Sequence, residues 1–230
     1  MEREKHYRHE LKYDIAYADY LAMRTRLRSL MKPDPHTGSD GRYLIRSVYF
    51  DNSDDKALRE KIDGIAKREK FRMRYYNDDL SFITLEKKMK INDLCLKYDA
   101  RITEEEGRRI LSGDIAFMKE HEDELLREFY AKMVYQRLRP RVLVSYVREP
   151  YIYAPGNVRV TFDSGIRTSL YRQEFLTEKT EDISATERPQ DMILEVKYDR
   201  FLPEVIQDFV QVRSIRQEAF SKYGACRRYG

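Results

Sequence analysis

Three short stretches set a glutamate two residues before a lysine among apolar neighbours. They are Glu10 and Lys12 in ELKYD, Glu86 and Lys88 in LEKKM, and Glu195 and Lys197 in EVKYD. Residues two apart on a β-strand point to the same side, so each unit presents a carboxylate beside an ammonium. The lysine is a point-charge donor for phosphate oxygens, and arginines nearby would add fork-like donors. The glutamate is a hard oxygen ligand, suited to a divalent cation that bridges carboxylate and phosphate. For any one glutamate the plain alternative is an ion pair with its neighbouring lysine. Neither GxxxxGK[ST] nor GxGxxG occurs, so a phosphate would not rest in a glycine cradle. His6 and His9 lack metal-site spacing, and His36 and His121 fall in a loop and a charged helix.

These units need strands to carry them. Strand-like runs fall at 8–15, 43–52, 67–77, 81–91, 139–153, 157–168 and 192–199. Helical patterns lie between them, at 16–31 and at 53–64, which opens on Ser/Asp and closes on Gly. A third, at 102–113, carries a Thr103-x-x-Glu106 capping box, and a longer helix follows through HEDELLREFYAKMVYQ. A last helix is expected over 202–224, with Val205, Phe209, Val212 and Ile215 on one face and Gly224 at its end. The stretch KPDPHTGSDG (32–41) reads as a loop. The fold class is α+β, with one antiparallel sheet over residues 1–230 that closes on itself.

Alternation sorts the charges. Arg68, Lys70, Arg72 and Arg74 oppose Phe71, Met73 and Tyr75, and Thr84, Glu86, Lys88 and Lys90 oppose Ile83, Leu85, Met89 and Ile91. Arg8, Glu10, Lys12 and Asp14 oppose Leu11, Tyr13 and Ile15. Arg159, Thr161 and Asp163 oppose Val158, Val160 and Phe162, and Glu195, Lys197 and Asp199 oppose Leu194, Val196 and Tyr198. Arg46 and Arg148 share parity with apolar residues, where a bulge could re-aim them. A solvated face usually mixes signs across neighbouring strands, whereas these faces are mostly basic. The apolar faces are expected under helices and the basic faces around a bore filled by a multiply charged anion. Arg24, Arg26 and Arg28 do not share a helical face and read as solvated.

Composition narrows the class. With 44 Lys and Arg against 40 Asp and Glu the net charge is only +4, so polyanion binding needs local clustering. Mean hydropathy is −0.76, yet 18 Tyr and 10 Phe in regular alternation indicate a folded chain of 27.7 kDa. Cys95 and Cys226 form no CxxC and suit reduced thiols in a cytoplasmic protein. No apolar run is long enough to span a bilayer. Tyr75 falls on the face opposite Arg72 and Arg74, which speaks against stacked nucleic-acid bases.

The strings RHELKY, SVYFDN, KFRMRYY, LEKKMK with Lys97 after it, VSYVREPY, VRVTFD, LEVKY and FSKY occur in that order across nearly the whole chain. The sequence thereby resembles the VTC domain, the catalytic module of polyphosphate polymerases in the triphosphate tunnel metalloenzyme superfamily. The resemblance implies a closed antiparallel barrel with helices around it. It further implies transfer of the γ-phosphate of ATP to inorganic polyphosphate, with Mn²⁺ or Mg²⁺ as the metal. Lys12, Arg72, Arg74, Lys88, Lys97, Arg148 and Arg159 are implied to bind phosphates, as are Ser221 and Lys222 at the end of the C-terminal helix. Arg46, Lys70 and Lys197 join them as basic groups of the same strands. Lys88, Arg74 and Lys222 are expected to act on the transferring group. Glu195 is the main metal ligand expected, with Glu10 and Glu86 beside it. The membrane spans of eukaryotic members have no counterpart here, so a membrane role would need a partner protein. Rival readings are a triphosphatase or polyphosphatase using the same bore, and a non-enzymatic binder of polyphosphate or nucleotide.

Overall fold

A computed structural model describes residues 6–169, 175–177, 182–186, 192–210 and 220–228. Ten strands are β1 (Arg8–Ile15), β2 (Lys32–Pro33), β3 (Tyr43–Asp51), β4 (Lys67–Tyr76), β5 (Asp79–Ile91), β6 (Leu94–Ile102), β7 (Arg139–Tyr153), β8 (Val158–Ser169), β9 (Ile183–Ser184) and β10 (Met192–Tyr198). Six helices are α1 (Tyr17–Leu30), α2 (Lys56–Ile62), α3 (Glu104–Ser112), α4 (Glu124–Tyr135), α5 (Glu204–Val210) and α6 (Lys222–Cys226). All the strand pairings are antiparallel, in the order β2-β7-β3-β4-β5-β6-β1-β10-β8-β9. Because β7 also pairs with β8, eight of these strands form a closed ring. The thinnest join is β1 to β6, with only Arg8 opposite Cys95 and His9 opposite Leu94.

β6 is a strand the sequence pattern did not yield. It follows β5 through a tight turn at Asn92, whose φ is +54°, and runs back along β5 from Leu94 to Ile102. The β4–β5 turn, Asn77-Asp78, also has both residues at positive φ, the left-handed geometry that a two-residue hairpin demands. In each turn an Asn-Asp pair stands in for the usual Asn-Gly.

Two apolar layers lie outside the ring. Phe71, Met73, Tyr75, Ile83 and Leu85 pack under Ile110 of α3 and Leu126, Phe129 and Met133 of α4. Ile15, Val158, Val160, Phe162, Leu194 and Val196 pack under Tyr20, Met23 and Leu27 of α1 and Ile206 and Val210 of α5. The capping box of α3 forms, with Thr103 and Glu106 each bonding the other's backbone N–H. α2 starts later than its pattern predicts: Asp55 at its N-cap is left-handed and gives no side-chain cap. Asp51 and Asn52 cap it instead, accepting from the N–H groups of Ala57, Leu58 and Lys56.

Two expectations about helices need correction. The C-terminal segment is not one helix to Gly224: Phe220 and Ser221 are non-helical, and Gly224 lies within the separate α6. In α5 the buried positions are Ile206 and Val210, while Val205 is exposed; Val212 and Ile215 lie outside the described residues. Arg24 is not merely solvated, because its Nε donates to Glu149 Oε1 at 2.6 Å and ties α1 to β7. No helix among the described residues is long and apolar enough to cross a membrane.

Candidate functional site

Strand alternation carries one ionic face each of β1, β4, β5, β8 and β10 inward, while Glu69 and Lys87 point out and pair with Lys132 and Glu128 of α4. Lys12, Lys70, Arg72, Arg74, Lys88, Lys97, Arg148, Arg159, Lys197, Ser221 and Lys222 line one cavity of about 320 Å³ with Glu10 and Glu195. A second cavity of about 430 Å³ shares Glu10, Lys12, Lys70, Lys88, Cys95 and Ser221 with it and continues past Lys61, Arg68 and Lys90. The shared residues set the two basic cavities side by side. Arg148 faces inward in phase with Val142, Val144 and Tyr146, because β7 turns an apolar and aromatic face toward the interior.

Two predicted residues stand apart. Arg46 lies on the outer side of β3 and pairs with Asp78 at 2.9 Å; the β3 register shifts only between Tyr49 and Phe50, so no bulge re-aims it. Glu86 is 1% exposed and does not line the cavity. It sits behind the cations as their counter-ion, 2.5 Å from Arg72 Nη2 and 3.0 Å from Lys97 Nζ. The three predicted metal carboxylates therefore do not converge.

Each inward carboxylate holds a fan of cations. Glu10 contacts Lys12 at 2.9 Å and also pairs with Lys88, while Glu195 lies 2.5 Å from Lys197 and 3.5 Å from Lys12. Asp163, fully buried, takes Arg148 bidentately at 2.6 and 2.7 Å and Lys222 at 2.5 Å. Burial alone would raise these carboxyl pKa values, but the surrounding cations outweigh it and hold Glu10, Glu86, Asp163 and Glu195 below the usual carboxylate range. Lys12, buried between Glu10 and Glu195, is held above the usual lysine range. Lys70 is the counter-case. Among the described residues no carboxylate lies within ion-pair distance, and burial, then Lys12, Lys88 and Arg72, push it down to about 7. Burial likewise lowers Lys197 to about 8, with Glu195 and Glu10 opposing.

The arginines are held by more than carboxylates. Arg72 Nη1 donates to Tyr49 Oη at 2.7 Å, Arg74 Nη2 to Tyr146 Oη at 3.0 Å, and Arg159 Nη2 to Tyr43 Oη at 2.8 Å. Arg74 Nε also donates to Ser47 Oγ at 3.1 Å, and Arg159 pairs with Asp34 at 2.6 Å. Sequence reasoning missed these tyrosines and Asp163 as site residues. The signal for Asp163 was present, since it shares a face with Arg159; a tyrosine in an alternating strand simply reads as apolar.

α6 delivers the last cation. Ser221 caps it by accepting from Gly224 N–H, Tyr223 Oη donates to Asp51 at 2.6 Å, and Arg227 bonds Asp55 at 2.6 Å. These tethers run to β3 and the start of α2, and they seat Lys222 on Asp163. The FDN string of β3 thus caps one helix and anchors another.

For a divalent cation the donor set is partial. No three carboxylate, histidine or cysteine side chains converge among the described residues. Glu10 and Glu195 are close enough to oppose one another's ionisation. Glu195 Oε1 is buried and, although near Lys197, receives no bond of hydrogen-bond geometry. Two hard oxygens fit a cation that draws most of its ligands from phosphate.

The VTC domain family model matches residues 7–229, and the chain belongs to that family. No curated protein matches it in sequence. Among solved structures it is similar to a candidate adenylate cyclase from Bacillus halodurans, at 14% identity and a TM-score of 0.54, over 92% of this chain and 95% of that one. It is also similar to a candidate adenylyl cyclase from Hippeastrum, described as having a dominant triphosphatase activity, at 11% identity and a TM-score of 0.51, over 90% and 84% of the two chains. These likenesses concern the fold.

Proposed function

We propose that the ring is a closed barrel whose bore is a tunnel for phosphate chains, and that the chain is a polyphosphate polymerase. It would move the γ-phosphate of ATP onto the terminal phosphate of a growing inorganic polyphosphate and release ADP. The observation that carries this reading is the pair of adjoining basic cavities, which share Lys12, Lys70, Lys88 and Ser221. One cavity can take the nucleotide's phosphates while the acceptor chain lies in the other.

Phosphoryl transfer asks chiefly for positioning and charge neutralisation. Arg72, Arg74, Arg148 and Arg159 clamp the triphosphate, and Lys88, Arg74 and Lys222 neutralise the charge of the transferring group. Lys12, Lys97, Lys197 and Ser221 complete the lining. The acceptor is already an anionic phosphate oxygen and needs no strong base. Glu195, with Glu10, would hold Mg²⁺ or Mn²⁺, which supplies further neutralisation of phosphate charge when bound.

The test incubates purified protein with ATP and Mn²⁺ and resolves the products. ADP with long-chain polyphosphate is the expected result; ADP with free orthophosphate would make the protein a hydrolase, and no turnover would leave a binder.

A further inference from the structure

We propose that the Tyr49 hydroxyl is itself a phosphate ligand, donating its proton to a phosphoryl oxygen beside Arg72. The inference rests on the phosphate-binding reading above. Tyr49 lines the cavity from β3, and its oxygen accepts the Arg72 Nη1–H at 2.7 Å. A phenol oxygen already accepting from arginine must aim its single proton elsewhere. Among the described residues nothing accepts that proton.

The groups around the hydroxyl explain why. Those whose charges act on it most, Arg72, Arg74 and Lys222, are cations with hydrogens to give and no lone pair to offer. The hydroxyl faces the cavity, where an entering anionic oxygen is a stronger acceptor than any group of the surrounding wall. The ring is not free to turn the group away. It stacks on Tyr223 with centroids 5.2 Å apart and lies beneath the Arg72 guanidinium at 5.6 Å. Arg72 and Tyr49 therefore present two adjacent donors, one charged and one neutral. Burial would raise the phenol's pKa, but the three cations outweigh it and hold it below its ordinary value, which strengthens the hydroxyl as a donor toward an anion. The ligand class is the polyphosphoryl group, shared by tripolyphosphate and nucleoside triphosphates.

Calorimetry with tripolyphosphate in metal-free buffer tests the assignment. Tyr49→Phe keeps the ring and is expected to weaken binding about tenfold, with the fold checked by circular dichroism. The same loss is expected in an Arg72→Lys background, where the bond to the phenol is gone. Full-affinity binding by Tyr49→Phe, or a loss confined to the background with Arg72 intact, overturns the assignment, the latter by showing that Tyr49 only orients the arginine. Should Tyr49→Phe fail to fold, 3-fluorotyrosine at position 49, at a pH where it stays protonated, is a stronger donor and must bind tighter; equal or weaker affinity overturns the proposal. If wild-type protein itself ignores tripolyphosphate, the phosphate-binding reading falls too, an outcome separable from a Tyr49→Phe variant that binds as well as wild type.

Discussion

Two arcs of the ring face the same interior with different chemistry. On β4 and β5 the inward side chains are Lys70, Arg72, Arg74, Glu86 and Lys88; on β3 and β7 they are Tyr43, Ile45, Ser47, Tyr49, Val142, Val144 and Tyr146, with Arg148 as a single cation among them. The first arc supplies charge. The second supplies rings and hydroxyls that steady the charge without cancelling it. A carboxylate that fixes an arginine also competes with any phosphate the arginine should bind, whereas a tyrosine oxygen fixes it and leaves its charge available. Arg72 shows both devices, with Glu86 on one side and Tyr49 on the other. Arg74 leans mainly on Ser47 and Tyr146, with Glu86 no closer than 3.9 Å.

This contrast can be broken by removing one arc's contribution at a time. The largest effect is expected from Arg74→Ala, a loss of polyphosphate synthesis of roughly a hundredfold or more with circular dichroism unchanged. Wild-type synthesis by the folded variant would remove Arg74 from the reaction. Next comes Asp163→Ala, which strands Arg148 and Lys222 without their buried counter-ion. It should cost about 3–5 kcal/mol in urea unfolding, and a change near zero would show those cations to be solvated. The ionic arc also has a proton signature. Burial, and then the cations around it, push Lys70 down to about 7 from an ordinary 10.5. A bound anion favours the charged form, so phosphate binding at pH 8 should take up protons, seen as buffer-dependent calorimetric heats. Lys197, near 8, contributes to the same uptake, so Lys70→Met should reduce it rather than abolish it. An unaltered uptake in that variant would assign the protons elsewhere. The smallest effect belongs to the aromatic arc's apolar filler. Ile45→Val removes one buried methylene and should cost about 1 kcal/mol while leaving tripolyphosphate affinity within twofold.

The arc that alternates cleanly is the one a reader of the sequence can orient. From Arg68 to Arg74 in β4 and from Glu86 to Lys90 in β5 the residues of one parity are charged, and those residues do line or back the two cavities. In β3 the alternation misleads, because the charged Arg46 points out and the apolar-looking Tyr43, Ile45 and Tyr49 point in. β6 escaped notice because an Asn-Asp turn lacks the glycine that usually announces a hairpin. Glu86 stands behind Glu195 as a lesser metal-ligand candidate in the sequence, and its burial is not legible there, since motif spacing says which face a side chain takes but not how deep it sits. The anchoring of α6 by Asp51 joins residues 172 positions apart and left no local trace.

The short join between β1 and β6 has a mechanical consequence. Two residue pairs hold the backbone there, and the Lys88–Glu10 contact reaches across from β5 to β1 over the same gap. An anion that draws Lys88 away from Glu10 removes a clasp where the hoop is weakest.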